Sequence, residues 1–437
     1  TSNKKYWSKS LDNSKNSKIK IPDKHRQHHT MSERMIADMT QCTLDEITKQ
    51  TTEIITNNQK VTSIILKRIP LTDDDKCFES VVTLVSQSPH LRSLDLWGCK
   101  LNNDNVRRLC WAITHAESNS HLERLNLGYN SITEEGVRVL ADCCCQSDTL
   151  SKVTAGSSEV PVGQLKNVVQ TGGHVKLANL SIGPLSAILV GVIVRRIEGM
   201  TSLNVSGNNL RKEGTNFLCR ELAHYDGLLH LNIGSNDIFP SGVASIATML
   251  RGAGGGLQTL SLADNNVTNW GKNMDALRTI IDAALDCELL QELRLEGNVL
   301  RGEGAAVVSE LIASSSTLEV LDLSRCQITT EGGLMIASAI SKAGRSSKLK
   351  ILNLSNNSLG SRGSTPIVEA VCESGGNDDG SSMVELNMAK NNIPAGAAMA
   401  MVDVLANNRD DWKLASIHLV RFCFFLLLFC CFVVLFC

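Results

Sequence analysis

The stretch Leu122-Glu123-Arg124-Leu125-Asn126-Leu127-Gly128-Tyr129-Asn130-Ser131-Ile132, with Gly136 four residues on, decides the fold because it recurs along the chain. The same phrase returns at Leu290, Leu293, Leu295, Asn298, Leu300 and Gly304. Taking the first apolar position as the start, units begin at Val61, Leu91, Leu122, Leu150, Leu177, Met200, Leu228, Leu257, Leu290, Leu318, Leu349, Met383 and Leu414. The spacing is mostly about 28 residues, a period that marks stacked repeats. The ninth position carries Asn130, Asn208, Asn236, Asn265, Asn298, Asn357 and Asn391, with Cys99 and Cys326 in the same slot.

The phrase has a direct physical reading. Leucines three and then two residues apart place side chains on the inward side of a short strand and the bend after it. The asparagine falls where the chain turns, and its amide can bond backbone groups that a turn leaves unpaired. Stacked units would align these amides into a ladder. Each phrase is followed by an apolar run at helical spacing, such as Gly333-Leu334-Met335-Ile336-Ala337-Ser338-Ala339-Ile340. One unit cannot bury its own apolar face, so only the stack is stable.

On these residues the chain resembles the ribonuclease-inhibitor-like class of leucine-rich-repeat proteins, over roughly Val61 to Leu419. The resemblance implies an α/β solenoid: a horseshoe with an inner parallel sheet, outer helices, about 12 to 13 repeats and a partner held on the concave face. A doubly wound nucleotide-binding fold also alternates strand and helix. It would not repeat one asparagine at one offset, and neither GxGxxG nor GxxxxGK[ST] is present.

Three units depart from the pattern. The slot holds Ile69 in the Val61 unit, Ser158 in the Leu150 unit and Leu185 in the Leu177 unit. An interruption of the ladder across 150–200 is therefore expected, either as harmless drift or as a bend that shapes the binding face.

The ends read differently. Residues 1–30 are basic and nearly devoid of apolar side chains, which predicts a disordered tail with at most a weak nuclear address. Helical spacing over 31–60 predicts a cap on the first unit. The repeat domain then spans 61–419, and a hydrophobic tail occupies 420–437. Phe422 stands where the next asparagine is due, and 422–437 are wholly apolar. As a helix that run would measure about 24 Å, against a bilayer core of about 30 Å. A short tail anchor, a translated intron and a buried terminal element all remain open. The chain begins at Thr1, as a fragment of a longer product would.

Composition narrows the function. A formal net charge of −2 argues against nucleic acid as a partner. The scattered cysteines suit free thiols in a reducing, cytoplasmic setting better than disulfides. No HExxH, CxxC pair, GxSxG or EF-hand loop points to an enzyme, a metal or another cofactor. Function should then lie in strand positions facing out between the core leucines. That column reads Asp95, Asn126, Thr154, Ser181, Asn204, Asn232, Ser261, Arg294, Asp322, Asn353 and Asn387. Trp97 and Tyr129 sit in successive units beside Arg92 and Arg124, and aromatic and Arg residues dominate binding hot spots. Arg294, Glu296, Asp322 and Arg325, with Glu292, form a second cluster.

The expected function is a monomeric, non-enzymatic scaffold that binds a protein partner. Two other classes compete with it. The repeat type is similar to that of the GTPase-activating proteins of the Ran system, although their acidic C-terminal segment has no counterpart here. The chain also resembles the ligand-sensing repeats of nucleotide-binding immune receptors. Residues 1–60 are too few to hold the nucleotide-binding domain that reading requires.

Overall fold

The computed structural model describes residues 35–116, 121–168, 172–252, 256–374, 383–407 and 416–419. The basic tail, the first residues of the cap and the apolar tail over 420–437 lie outside them.

Strands and helices alternate, and the strands fall into two sheets. The first contains β1 (Met35–Asp38), β2 (Val61–Ile65), β3 (Ser93–Asp95), β4 (Arg124–Asn126), β5 (Lys152–Thr154) and β6 (Glu159–Val160). The second runs from β7 (His174–Lys176) through β8 (Ser202–Asn204), β9 (His230–Asn232), β10 (Thr259–Ser261) and β11 (Glu292–Arg294). It continues through β12 (Val320–Asp322), β13 (Ile351–Asn353) and β14 (Glu385–Asn387) to β15 (Ser416–His418). Neighbours are parallel throughout, except that β6 folds back antiparallel on β5. The three-residue strands from β3 to β14 bury their central residue, Leu94, Leu125 and Val153 in one register and Leu203, Leu231 and Leu260 in another. The flanking residues of each strand face out, which is the period-two alternation of a pleated strand.

The other layer holds α1 (Leu44–Thr56), α2 (Asp75–Gln87), α3 (Asn103–Thr114), α4 (Glu134–Gln146), α5 (Val162–Lys166), α6 (Gly183–Val194) and α7 (Arg211–Leu222). After these come α8 (Phe239–Arg251), α9 (Asp275–Asp286), α10 (Arg301–Ser314), α11 (Thr330–Ala343), α12 (Gly360–Glu373) and α13 (Ala395–Asn407). The core lies between the layers, where one continuous cluster of leucine, isoleucine and valine runs from Met39 to Leu419.

The ladder asparagines join consecutive units. Asn236 donates through Nδ2 to Ile233 O at 2.9 Å in its own unit and to Val205 O at 3.0 Å in the preceding one. Its Oδ1 accepts Asn208 N at 2.9 Å and Leu210 N at 3.3 Å, again from the preceding unit. Asn208, Asn236, Asn265 and Asn298 have no exposed surface, so these bonds carry backbone groups that water cannot reach. Cys99 and Cys326 do half the work: their thiols donate to Leu66 O and Leu295 O. A thiol lacks the amide's carbonyl. Asn298 N accordingly turns to Leu295 O in its own unit rather than to the Cys326 side chain.

Two expectations need correction. Over 31–60, where spacing predicts a helical cap, the described residues form strand β1 followed by α1. The first layer extends the sheet, because β1 pairs parallel with β2 and carries its backbone hydrogen bonds on by one strand. The second correction concerns register. The strand of the fifth unit is His174–Lys176 with Val175 at its centre, so the asparagine slot holds Leu180 rather than Leu185. Leu180 N and Ile182 N both donate to Asn208 Oδ1, as ladder neighbours do. Leu177, Leu180 and Ile182 imitate the phrase five residues late, which is why the spacing misleads. The outward column there contains Lys176, not Ser181.

The ladder lapses at Ser158 and Leu180, and the strand layer breaks between them. After β5 the chain makes a hairpin into β6, so Ser158 stands in its turn and β6 covers the edge that β5 would expose. The helix layer stays closed. α5 is short, and α6 packs directly against α4. α6 is apolar on every side (Gly-Pro-Leu-Ser-Ala-Ile-Leu-Val-Gly-Val-Ile-Val) and buried but for Pro184 and Leu185, as an all-round apolar helix must be. Arg138 of α4 reaches over it to Glu221 of α7 at 2.6 Å, and Arg220 of α7 returns to Glu134 of α4. The buried Glu221 also meets Arg195 at 3.4 Å. Outer helices thus close up where inner strands part, a local change of curvature.

Replacing Asn236 by Ala strips a buried set of bonds and leaves backbone donors and acceptors unpaired. The expected loss of unfolding free energy is about 2–4 kcal/mol, measured by urea unfolding. Asn236→Cys should lose less, since Cys326 keeps one bond to the preceding unit.

Candidate functional site on the concave face

The outward residues of the strands form columns whose register the ladder sets. In the first sheet Asp95, Asn126 and Thr154 are aligned, as are Ser93, Arg124 and Lys152. Trp97 and Tyr129 lie just past β3 and β4 with ring centroids 4.8 Å apart at an interplanar angle of 47°. The Arg68 guanidinium stands 4.8 Å over the Trp97 ring, a cation–π geometry. Tyr129 remains 66% exposed and has φ of +58°, a region that costs a bulky side chain energy. An exposed aromatic held at such a backbone angle contributes little to the core.

Charged groups surround this stack. Arg92 pairs with Glu123 at 3.7 Å, and Arg124 and Lys152 share Glu159 of β6 at 3.3 and 3.0 Å. Asp95 accepts Trp97 N, Asn126 Nδ2 and Lys67 Nζ. Arg92 and Arg124 thus stand at the start of β3 and β4, and the Trp97–Tyr129 stack stands past their other end.

The second cluster lies on β11, β12 and the turns that follow. Arg294 pairs with Glu292. Asp322 accepts Ser324 N and Asn353 Nδ2, both at 2.9 Å. Arg325 approaches Glu296 at 3.9 Å, and the Glu296 carboxyl pKa is raised by burial first and by the neighbouring Asp322 second, with Arg325 and Arg294 opposing. Arg325 makes a two-pronged pair with Asp264, at 3.0 and 2.9 Å, across the intervening unit. Gly297 permits this: a Cβ there would lie 1.8 Å from Asp264 Oδ1. The two clusters do not meet, since they occupy different sheets on opposite sides of the break.

Arg68 and Asp264 escaped the sequence reading. Arg68 belongs to the unit whose slot holds Ile69, and Asp264 precedes a ladder asparagine. A signal existed for both: they occupy the turn position that also holds Tyr129 and Arg325, all at positive φ. Running into the second cluster, a polar groove lies over β8 to β11, lined by Asn204, His230, Asn232, Thr259 and Ser261 together with Glu292, Arg294 and Glu296. Among the described residues no group of His, Cys, Asp and Glu is arranged to hold a metal ion. No described helix is long and apolar enough to cross a membrane.

Leucine Rich repeat family models match residues 118–141, 314–337 and 348–372. Porcine (Sus scrofa) ribonuclease inhibitor is 26% identical over 242 residues, covering 55% of this chain and 47% of its own. This is a leucine-rich-repeat protein of the ribonuclease-inhibitor-like class. Human NACHT, LRR and PYD domains-containing protein 14 is 24% identical over 320 residues, which is 62% of this chain and 27% of that protein. Bovine (Bos taurus) NACHT, LRR and PYD domains-containing protein 5 is 28% identical over 251 residues, 56% and 22% of the two chains. The leucine-rich-repeat chain thus spans less than half the length of each of these relatives.

The raised Glu296 pKa has a testable sign. A carboxyl that binds its proton more tightly when folded destabilises the fold above its folded pKa, and the penalty vanishes as pH falls below the unfolded value. Glu296→Gln should therefore be at least as stable as wild type at pH 7. That margin should shrink as pH drops through the carboxylate range in thermal-melt series.

Proposed function

We propose that this protein is a non-enzymatic interaction scaffold that holds a protein partner on the concave face. One observation carries the reading: the Arg68–Trp97–Tyr129 stack exposes aromatic surface that no other part of the described chain covers. Aromatic and Arg side chains in such a setting supply most of the binding energy at protein interfaces. The Arg92, Arg124 and Glu159 pairs provide a polar rim. The second cluster, Arg294, Glu296, Asp322 and Arg325, gives a separate contact on the far side of the break. A single chain suffices for this grip, so the active form is a monomer. Buried unpaired thiols such as Cys77, Cys99, Cys219 and Cys326 support a cytoplasmic setting, where thiols stay reduced. The formal charge of −2 favours protein over nucleic acid as the partner.

A second reading has a specific observation in its favour. The matches to NACHT, LRR and PYD domains-containing proteins support a role as the sensing repeats of a larger nucleotide-binding receptor. Both readings use the same face.

The test is affinity capture with the full chain as bait, comparing wild type with Trp97→Ala/Tyr129→Ala. Losing two anchors at a hot spot is worth about 2 kcal/mol or more, roughly a thirtyfold loss of affinity. Both side chains lie outside the buried core, so the melting temperature should hold. Unchanged capture by a variant that melts like wild type would sink the anchor.

A further inference from the structure

In the outward column, Asn126, Asn204, Asn232 and Asn353 each fold back on their own chain. Each Oδ1 accepts the backbone N–H two residues on, from Gly128, Ser206, Gly234 and Ser355, at 3.0–3.1 Å. That bond settles which end of the amide is which: the oxygen is spent, and the NH2 group is the end left to bind something else. Asn126 and Asn353 use it on the preceding strand, donating to Asp95 at 3.0 Å and Asp322 at 2.9 Å. Asn204 and Asn232 have no such carboxylate before them. Their preceding neighbours in register are Lys176 and Asn204 itself. Neither NH2 group has an acceptor among the described residues.

The two amides sit directly opposite each other on β8 and β9, about 4.8 Å apart as adjacent strands dictate. Across five strands the column reads Lys176, Asn204, Asn232, Ser261, Arg294. It contains donors and cations and no acid. Two acids line the same groove and both have cationic partners: Glu292 pairs with Arg294 and accepts Thr259 Oγ1, while Glu296 meets Arg325 at 3.9 Å. Thr259 in turn meets His230 Nδ1 at 3.0 Å. Lys176 has no ion-pair partner among the described residues. A ligand complementary to this row offers paired, anionic oxygen acceptors. A carboxylate placed between two N–H donors at that separation meets each with one oxygen at an ordinary distance of about 2.9 Å.

We propose that the middle of the concave face is a carboxylate-binding site, where Asn204 and Asn232 donate to the two oxygens of an Asp or Glu side chain of the partner protein. Lys176 flanks it on β7 and supplies a positive charge, while Arg294 on β11 is held by Glu292. The assignment rests on the concave face being the binding surface, and it adds the chemistry the partner must present there.

The test needs no partner. Full-length protein labelled with 15N in its asparagine side chains is titrated with N-acetyl-aspartate amide, a blocked aspartate, and with its neutral asparagine counterpart. Saturable shifts of the Asn204 and Asn232 NH2 signals are expected with the aspartate probe, and at least tenfold weaker binding of the neutral one. The variant Asn204→Asp/Asn232→Asp keeps the Oδ1 bond to the backbone, as Asp95 and Asp322 do in the same column, so its fold is preserved. It removes both NH2 donors and should lose aspartate binding at least tenfold. Unmoved NH2 signals, equal affinity for the two probes, or undiminished binding in the double variant would overturn the site. Tighter binding of N-acetylglycine, which mimics a chain terminus, would overturn the side-chain assignment. Probe binding by a chain that captures no protein partner would instead refute the proposed scaffold function and leave this site standing.

Discussion

An asparagine amide at one offset of the repeat, present in seven units and replaced by cysteine in two, is the constraint on which the rest depends. A strand of this length followed by a tight turn leaves backbone N–H and C=O groups inside the protein, where each unpaired group costs free energy. An amide has two donors and an acceptor, enough to serve its own turn and the one before it. Asn208, Asn236 and Asn265 do this in sequence, each binding backbone of the preceding unit. The same side chain therefore completes one repeat and attaches it to the last. Because these bonds fix register, they also align the outward columns, and the concave face inherits its order from them.

The amide is also missing at Ile69, where β2 still pairs with β1 and β3, but at two successive units, Ser158 and Leu180, its loss coincides with a break. Ser158 is too short to reach across units, and Leu180 has no polar group to offer. The strand layer stops, β6 folds over its edge, and the chain resumes pairing only at β7. The helix layer compensates by sinking α6 and joining α4 to α7 through Arg138, Glu221, Arg220 and Glu134. A carboxylate buried like Glu221 needs such company, since an unpaired one would be expensive to keep from water. The break also divides the face, with the aromatic stack on one side and the polar groove and charged cluster on the other.

Much of this was legible in the chain. Recurrence of asparagine at one offset predicts the ladder, the parallel strands and the helices behind them, and cysteine at 99 and 326 reads as an alternative in the same slot. The Trp97–Tyr129 pair follows from neighbouring offsets in consecutive units. Other features were hidden for specific reasons. Leucine spacing in the fifth unit fits two registers, and only pairing of Val175 with Leu203 chooses between them. Met35 and Ile36 lie on apolar positions that suit a helix as well as an edge strand. Glu221 finds Arg138 across 83 positions of chain, a distance over which spacing carries no information. An asparagine letter does not say which end of its amide faces out; that depends on the backbone N–H two residues on.

Native-state hydrogen exchange tests the central claim most directly, because it reads each unit's backbone hydrogen bonds separately. If the amide ladder holds the stack, strand and turn amides should be slowest across the continuous run from Asn208 to Asn298. Protection should fall sharply over 155–168, where the strand layer breaks, and recover from Leu177 onward, where backbone bonds to the next unit resume. Uniform protection across that interval, or its loss in the Asn208–Asn298 run instead, would contradict the account.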